Sequence, residues 1–149
     1  MEMTAREMWL VFSKKNKPET DDYEAWSFGD SPEELARLVL EGKKTATASI
    51  YELYAYDNER VPSAGDYSVI MDASEKNALC IIRNTDVSIV PFKDVDENHA
   101  RREGEGDMTL EYWRKAHREC FSQWMEEAGK KFTDDTLIVL ERFEVVFKP

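Results

Sequence analysis

The chain has 149 residues, with 31 acidic side chains against 20 basic ones, and its net charge of −11 argues against following duplex DNA, which needs a basic face. With 42% hydrophobic and 34% charged residues it has the composition and size of one globular domain, not of a disordered tail. No apolar run approaches the roughly 20 residues of a membrane helix, and Cys80 and Cys120 offer no zinc spacing, so a reduced, cytoplasmic protein without metal or cofactor is expected.

In chain order, residues 4–15 predict an amphipathic helix carrying Met8, Leu10, Val11 and Phe12, followed by a polar connection over 16–22. Ser31, Pro32 and Glu34 predict an N-cap, a first helical position and a capping box. Leu35, Leu38 and Val39 give that helix its buried stripe, and Gly42 ends it. Residues 44–56, rich in Thr, Ile and Tyr, predict a strand with an extended continuation. Strands over 67–71 and 78–90 form a hairpin across a Ser-Glu-Lys-Asn turn, with a bulge or face switch at Arg83-Asn84. Residues 91–107 form a polar connection with one short helical turn near Val95. A long helix spans 108–127 and ends at Gly129, and a strand over 136–148 closes the chain. The fold class is α+β: a few mainly antiparallel strands with flanking helices in a single domain over 1–149.

Candidate chemistry concentrates in a few places. Lys43 and Lys44 follow the helix stop and run into Thr45 and Thr47. In an ideal strand Lys44 and Thr47 point to opposite faces, so they meet only if Lys44 lies in the turn before the pleat begins. The plainer reading is a lysine near a helix C-terminus, worth about 0.3–1 kcal/mol with the helix dipole. Glu103 to Asp107 read as "EGEGD", either a solvated loop that caps the next helix or a mobile loop that carries acids to a site. His117 falls on the apolar face of its helix and reads as a packing histidine, while His99 reads as exposed in a polar loop. Trp26 and Phe28 flank a turn, placed either as a lid on the core or as a stacking surface for a base.

Five stretches occur together in one order: "WSFGDSPEELARLVLEGKKTATAS", "VPSAGDYSVIMD", "IIRNTDVSIVPFKDVD", "EGEGDMTLEYWRKAHRECF" and "ERFEVVF". In combination they resemble the ASCH domain family over residues 26–147; residues 1–20 are a less diagnostic helical extension. The resemblance implies a PUA-like fold, a small β-barrel with helices around it, and a cleft for a nucleoside, a nucleotide or short RNA. One small bacterial member is an amidohydrolase that removes the acyl group of N4-acetylcytidine, while other members cleave or bind RNA. Its Lys-x-x-Thr motif is matched by Lys44 and Thr47, and its catalytic glutamate by Glu105, with Glu103 the alternative. Ser49 stands where that enzyme has an arginine, so the substrate need not be the same. Trp26, Phe28, Lys43, Thr45 and Tyr51 are the expected substrate-binding residues. Two roles for Lys44 follow from this. As a base it needs a pKa about 3 units below the free value of ~10.4, a cost of about 4 kcal/mol; charged, it stabilises an oxyanion. On either reading, Lys44→Ala is expected to abolish turnover and leave the melting curve almost unchanged.

Overall fold

The computed structural model describes residues 2–149. The first helix, α1 (Ala5–Asn16), opens on a capping box: Glu7 N donates to Thr4 Oγ1 at 3.1 Å and Thr4 N donates to Glu7 Oε1 at 2.9 Å. It is followed by β1 (Glu24–Trp26), α2 (Pro32–Leu40), β2 (Ala46–Ile50) and α3 (Tyr51–Tyr56). Next come β3 (Tyr67–Met71), β4 (Ala78–Pro91) and a 3-10 turn (Phe92–Asp94). The chain finishes with α4 (Glu97–Glu103), α5 (Leu110–Glu127) and β5 (Leu137–Phe147).

The strands form one five-stranded sheet in the order β1-β3-β4-β5-β2, with only β1 and β3 parallel. The sheet curls into an α+β, PUA-like half-barrel whose free edges are β1 and β2. Its two faces follow from the period of two along each strand. Tyr67, Val69 and Met71 of β3 pack on Met8, Trp9 and Phe12 of α1. On the other face Ile70 packs with Ala36 and Val39 of α2, and Ser68 opens onto a cleft. A third cluster joins Phe92, Ala100, Trp113, Phe121 and Met125 to Ile50 and Ile138, fastening α4 and α5 to the end of the sheet. The register of β4 against β5 shifts between Asn84 and Asp86, beside the expected bulge.

Four expectations are corrected. Ser31 adopts a left-handed conformation (φ 45) and its side chain makes no cap, so there is no capping box; Glu34 turns instead toward Arg37. The strand expected over 44–56 ends at Ile50, because Leu53 packs into the third cluster and Tyr54 folds back to bond Ser49, which together override the β-propensity of the tyrosines. The polar connection over 91–107 contains α4, capped by Asp96 accepting from His99 N at 2.9 Å. His99, expected to be exposed, is buried in that helix. The three-residue β1, parallel to β3, was not foreseen.

Candidate functional site

The turn after α2 decides where Lys44 goes. Gly42 takes φ 78, and the amides of Lys43 and Lys44 both donate to Leu38 O, at 2.9 and 3.1 Å. Thr45 N then donates to Arg102 O at 2.7 Å, tying this turn to α4. β2 begins only at Ala46, so Lys44 lies in the turn and the pleat does not hold it away from Thr47. Both residues line one small cavity together with Glu103, Glu105 and His117.

Gly104 keeps α4 against this turn. It has φ +69, and a Cβ there would collide with the Lys43 carbonyl. Gly104→Ala is therefore expected to move Glu103 and Glu105 away from Lys44. The check is hydrogen exchange at the Thr45 amide, which should speed up at least tenfold; wild-type exchange would refute the contact.

Lys44 is 1% exposed, and its Nζ donates to Glu103 Oε1 at 2.9 Å and to Glu105 Oε2 at 2.8 Å. The carboxylate of Glu103, also 1% exposed, accepts from Trp113 Nε1 at 2.7 Å and meets His99 Nε2 at 2.6 Å. His117 Nε2 approaches its other oxygen at 3.5 Å, and the Phe28 ring lies 5.5 Å from the ammonium. Burial alone would neutralise Lys44, but the two carboxylates reverse that and hold its pKa above the ordinary value. Burial likewise opposes the charge on Glu103, yet Lys44 and His117 keep it well below the usual carboxylate range. Glu105 goes the other way: burial, with Glu103 beside it, pushes it up despite Lys44. The site thus holds a cation and an anion that stabilise each other and a second carboxyl whose ionisation burial opposes. Glu103, Glu105 and His117 offer ligand atoms within 4.8 Å of one another, but the Lys44 ammonium already bonds both carboxylates where a divalent ion would bind.

These shifts fix the sign of the pH response. Stability from the depressed Glu103 is present above its ordinary 4.5 and lost as pH falls through the folded value. His117, raised above 6.5 by Glu103 against the pull of burial, contributes stability that is present below 6.5 and lost as pH rises through its folded value. The raised Glu105 lowers stability as it ionises. Melting temperature should accordingly decline as pH rises from 6.5 through the folded pKa of His117, and His117→Gln should flatten that decline. An unchanged slope in the variant would contradict the His117–Glu103 contact.

Above this floor opens a cleft of about 590 Å³ between the two free edges of the half-barrel. Every strand contributes to its wall, and Phe28, Thr47 and Trp124 line both the cleft and the small cavity, so the two adjoin. The structure brings Lys44, Thr47, Glu103, Glu105 and Phe28 together around the small cavity and places Trp26 on the wall of the adjoining cleft. It does not bring in the other three expected binding residues. Lys43 turns outward to Glu41 at 3.3 Å, Thr45 bonds Arg102 O and lines neither space, and Tyr51 is exposed at the start of α3. His99 and His117 join the site although the sequence reading placed neither there; their spacing from Glu103 and Trp113, one helical turn each, was the available signal.

The sequence matches the model of the ASCH domain family over residues 24–147. The ASCH domain structure from Lactobacillus crispatus JV V101 is similar at 31% identity and TM-score 0.85, over 95% of this chain and 92% of that one. A protein from Enterococcus faecalis V583 is similar at 36% identity and TM-score 0.85, over 93% of this chain and 85% of that one. No curated protein is close enough to count as a match. Among the described residues, no helix is long and apolar enough to cross a membrane.

Proposed function

The chain belongs to the ASCH domain family, and from that premise we propose that its cleft is the active site of an amidohydrolase acting on N4-acylated cytidine or a similar acylated base. The observation that carries this reading is the buried Lys44 ammonium, bonded to two carboxylates in a small cavity that adjoins an open cleft walled by Trp26, Phe28 and Trp124. The aromatic walls suit a flat base, and the floor suits the chemistry of an amide.

In the proposed sequence Glu105 takes a proton from water that the Thr47 hydroxyl orients, and the water oxygen bonds to the acyl carbon. Lys44 stays protonated and stabilises the oxyanion that forms there. The C–N bond then breaks, Glu105 returns its proton to the departing nitrogen, and a carboxylic acid and a free exocyclic amine leave. Glu103 positions Lys44 and takes no part in the proton transfer.

The test is a panel of N-acylated nucleosides incubated with the purified chain and followed by mass spectrometry. One class of acyl-base amide should lose its acyl group and gain one water across the bond. If every member stays intact while short RNA is cleaved, or is bound without cleavage, a ribonuclease or a non-catalytic RNA-binding module replaces this reading.

A further inference from the structure

The wall of the cleft beyond the floor has a charge pattern that the hydrolytic reading does not use. Among the described residues no lysine or arginine lines the cavity, but Glu24, Glu59, Asp66 and Glu141 do. Asp66 is already held by Arg60 at 2.9 Å. The other three carboxylates gather round Tyr54, whose phenol is pushed up to about 12 by burial and by their negative field, against its 2.7 Å bond with Ser49.

A second, independent feature lies on the same wall. Asn84 and Glu141 are both more than nine-tenths buried and bond to each other, Nδ2 to Oε1, at 2.9 Å. Among the described residues nothing donates to Asn84 Oδ1 or Glu141 Oε2, and both side chains line the cavity. Both acceptors are open to the cavity, where a ligand's donors can reach them. Glu141 pairs directly with Thr47 across β5 and β2, so its side chain stands on the same face, about 5 Å away at Cβ. Trp26 and Trp124 complete the wall, and aromatic faces beside carboxylates favour a cation over an anion.

We propose that the Asn84–Glu141 wall, with Glu24 and Glu59, seats a positively charged donor group of the ligand, a protonated amine or guanidinium, and excludes ligands that carry a phosphate. This inference deepens the amidohydrolase reading and rests on it for the identity of the base. The specificity comes from carboxylates with no cation beside them, because the single cation of the floor is already paired with two acids. Burial pushes Glu141 above its ordinary 4.5, against the bond from Asn84, and a cation seated beside it would oppose that rise.

The experiment measures dissociation constants by calorimetry for three cytidines that differ only in charge: 5′-amino-5′-deoxycytidine, cytidine and cytidine 5′-monophosphate. Agmatine is a fourth probe, with no base at all. The amine should bind at least about tenfold tighter than cytidine, and the monophosphate at least about tenfold weaker. Glu141→Gln and Glu24→Gln should each reduce the advantage of the amine and of agmatine at least threefold. Glu119→Gln, which removes an exposed charge from the outer side of α5, should not. A monophosphate that binds as tightly as the amine overturns the proposal, and so does a loss with Glu119→Gln as large as with Glu141→Gln. If agmatine binds in a manner sensitive to Glu141 while no acylated cytidine is turned over, this inference stands and the cytidine reading fails. If acylated cytidine is hydrolysed but the charge series is flat, the reverse holds.

Discussion

Lys44→Ala is expected to abolish amide hydrolysis and also to lower the melting temperature by roughly 6–20 °C. The second effect departs from what the sequence implied, since a lysine at a helix end can be cut back at little cost. Here the ammonium is buried and neutralises Glu103, itself 1% exposed. Removing one partner of a buried pair leaves a stranded charge at a cost of about 3–5 kcal/mol. In a chain of this size each kcal/mol moves the midpoint by roughly 2–4 °C. The double variant Lys44→Ala, Glu103→Gln removes the stranded charge as well, so part of the lost stability should return while the rate does not. Thermal melts of the three proteins at pH 7 decide this. A single variant that melts with the wild type would mean that the lysine is not held as described.

Glu105→Gln should give the opposite combination, a folded protein with little activity. Glu105 is the more accessible of the two acids, at 18% side-chain exposure, and its burial opposes ionisation. Substitution by a neutral amide removes an unfavourable buried charge, so the midpoint should hold or rise. Loss of the one proton-transferring group should lower kcat/KM by about 10²–10⁴, or roughly 2.7–5.5 kcal/mol in the barrier. In the wild type the acid limb of the rate profile should lie above 4.5, and any alkaline limb from Lys44 above 10.5. A variant that keeps more than a tenth of the rate would remove Glu105 from the proton transfer and leave Glu103 to be tested.

The regular parts of the fold were legible because burial there is simple. Tyr67–Met71 is apolar but for Ser68 and buried along its length, and the sequence located both it and the irregularity beside Asn84. The pairing of Lys44 with Thr47 was legible only through the family resemblance, since strict pleating argued against their meeting. The geometry of Gly42 resolves that conflict by holding Lys44 out of the strand. What could not be read was the buried polar network. Helix α4 has the composition of a loop, and only the Asp96 cap and the contacts of His99 and Glu103 with Trp113 turn its polar residues inward. A charged residue is buried at such a position because a partner distant in sequence awaits it, and Lys44 is 59 residues away from Glu103.

In the proposed mechanism Lys44 remains an ammonium clamped between two glutamates and so acts as an electrophile, not as a base. Nitrogen NMR of its Nζ, from pH 6 to pH 11, measures this directly. An ammonium signal should persist at least to pH 10.5 and titrate only above it. A signal that becomes that of a neutral amine between pH 7 and pH 9 would contradict it, and would return the role of base to the lysine.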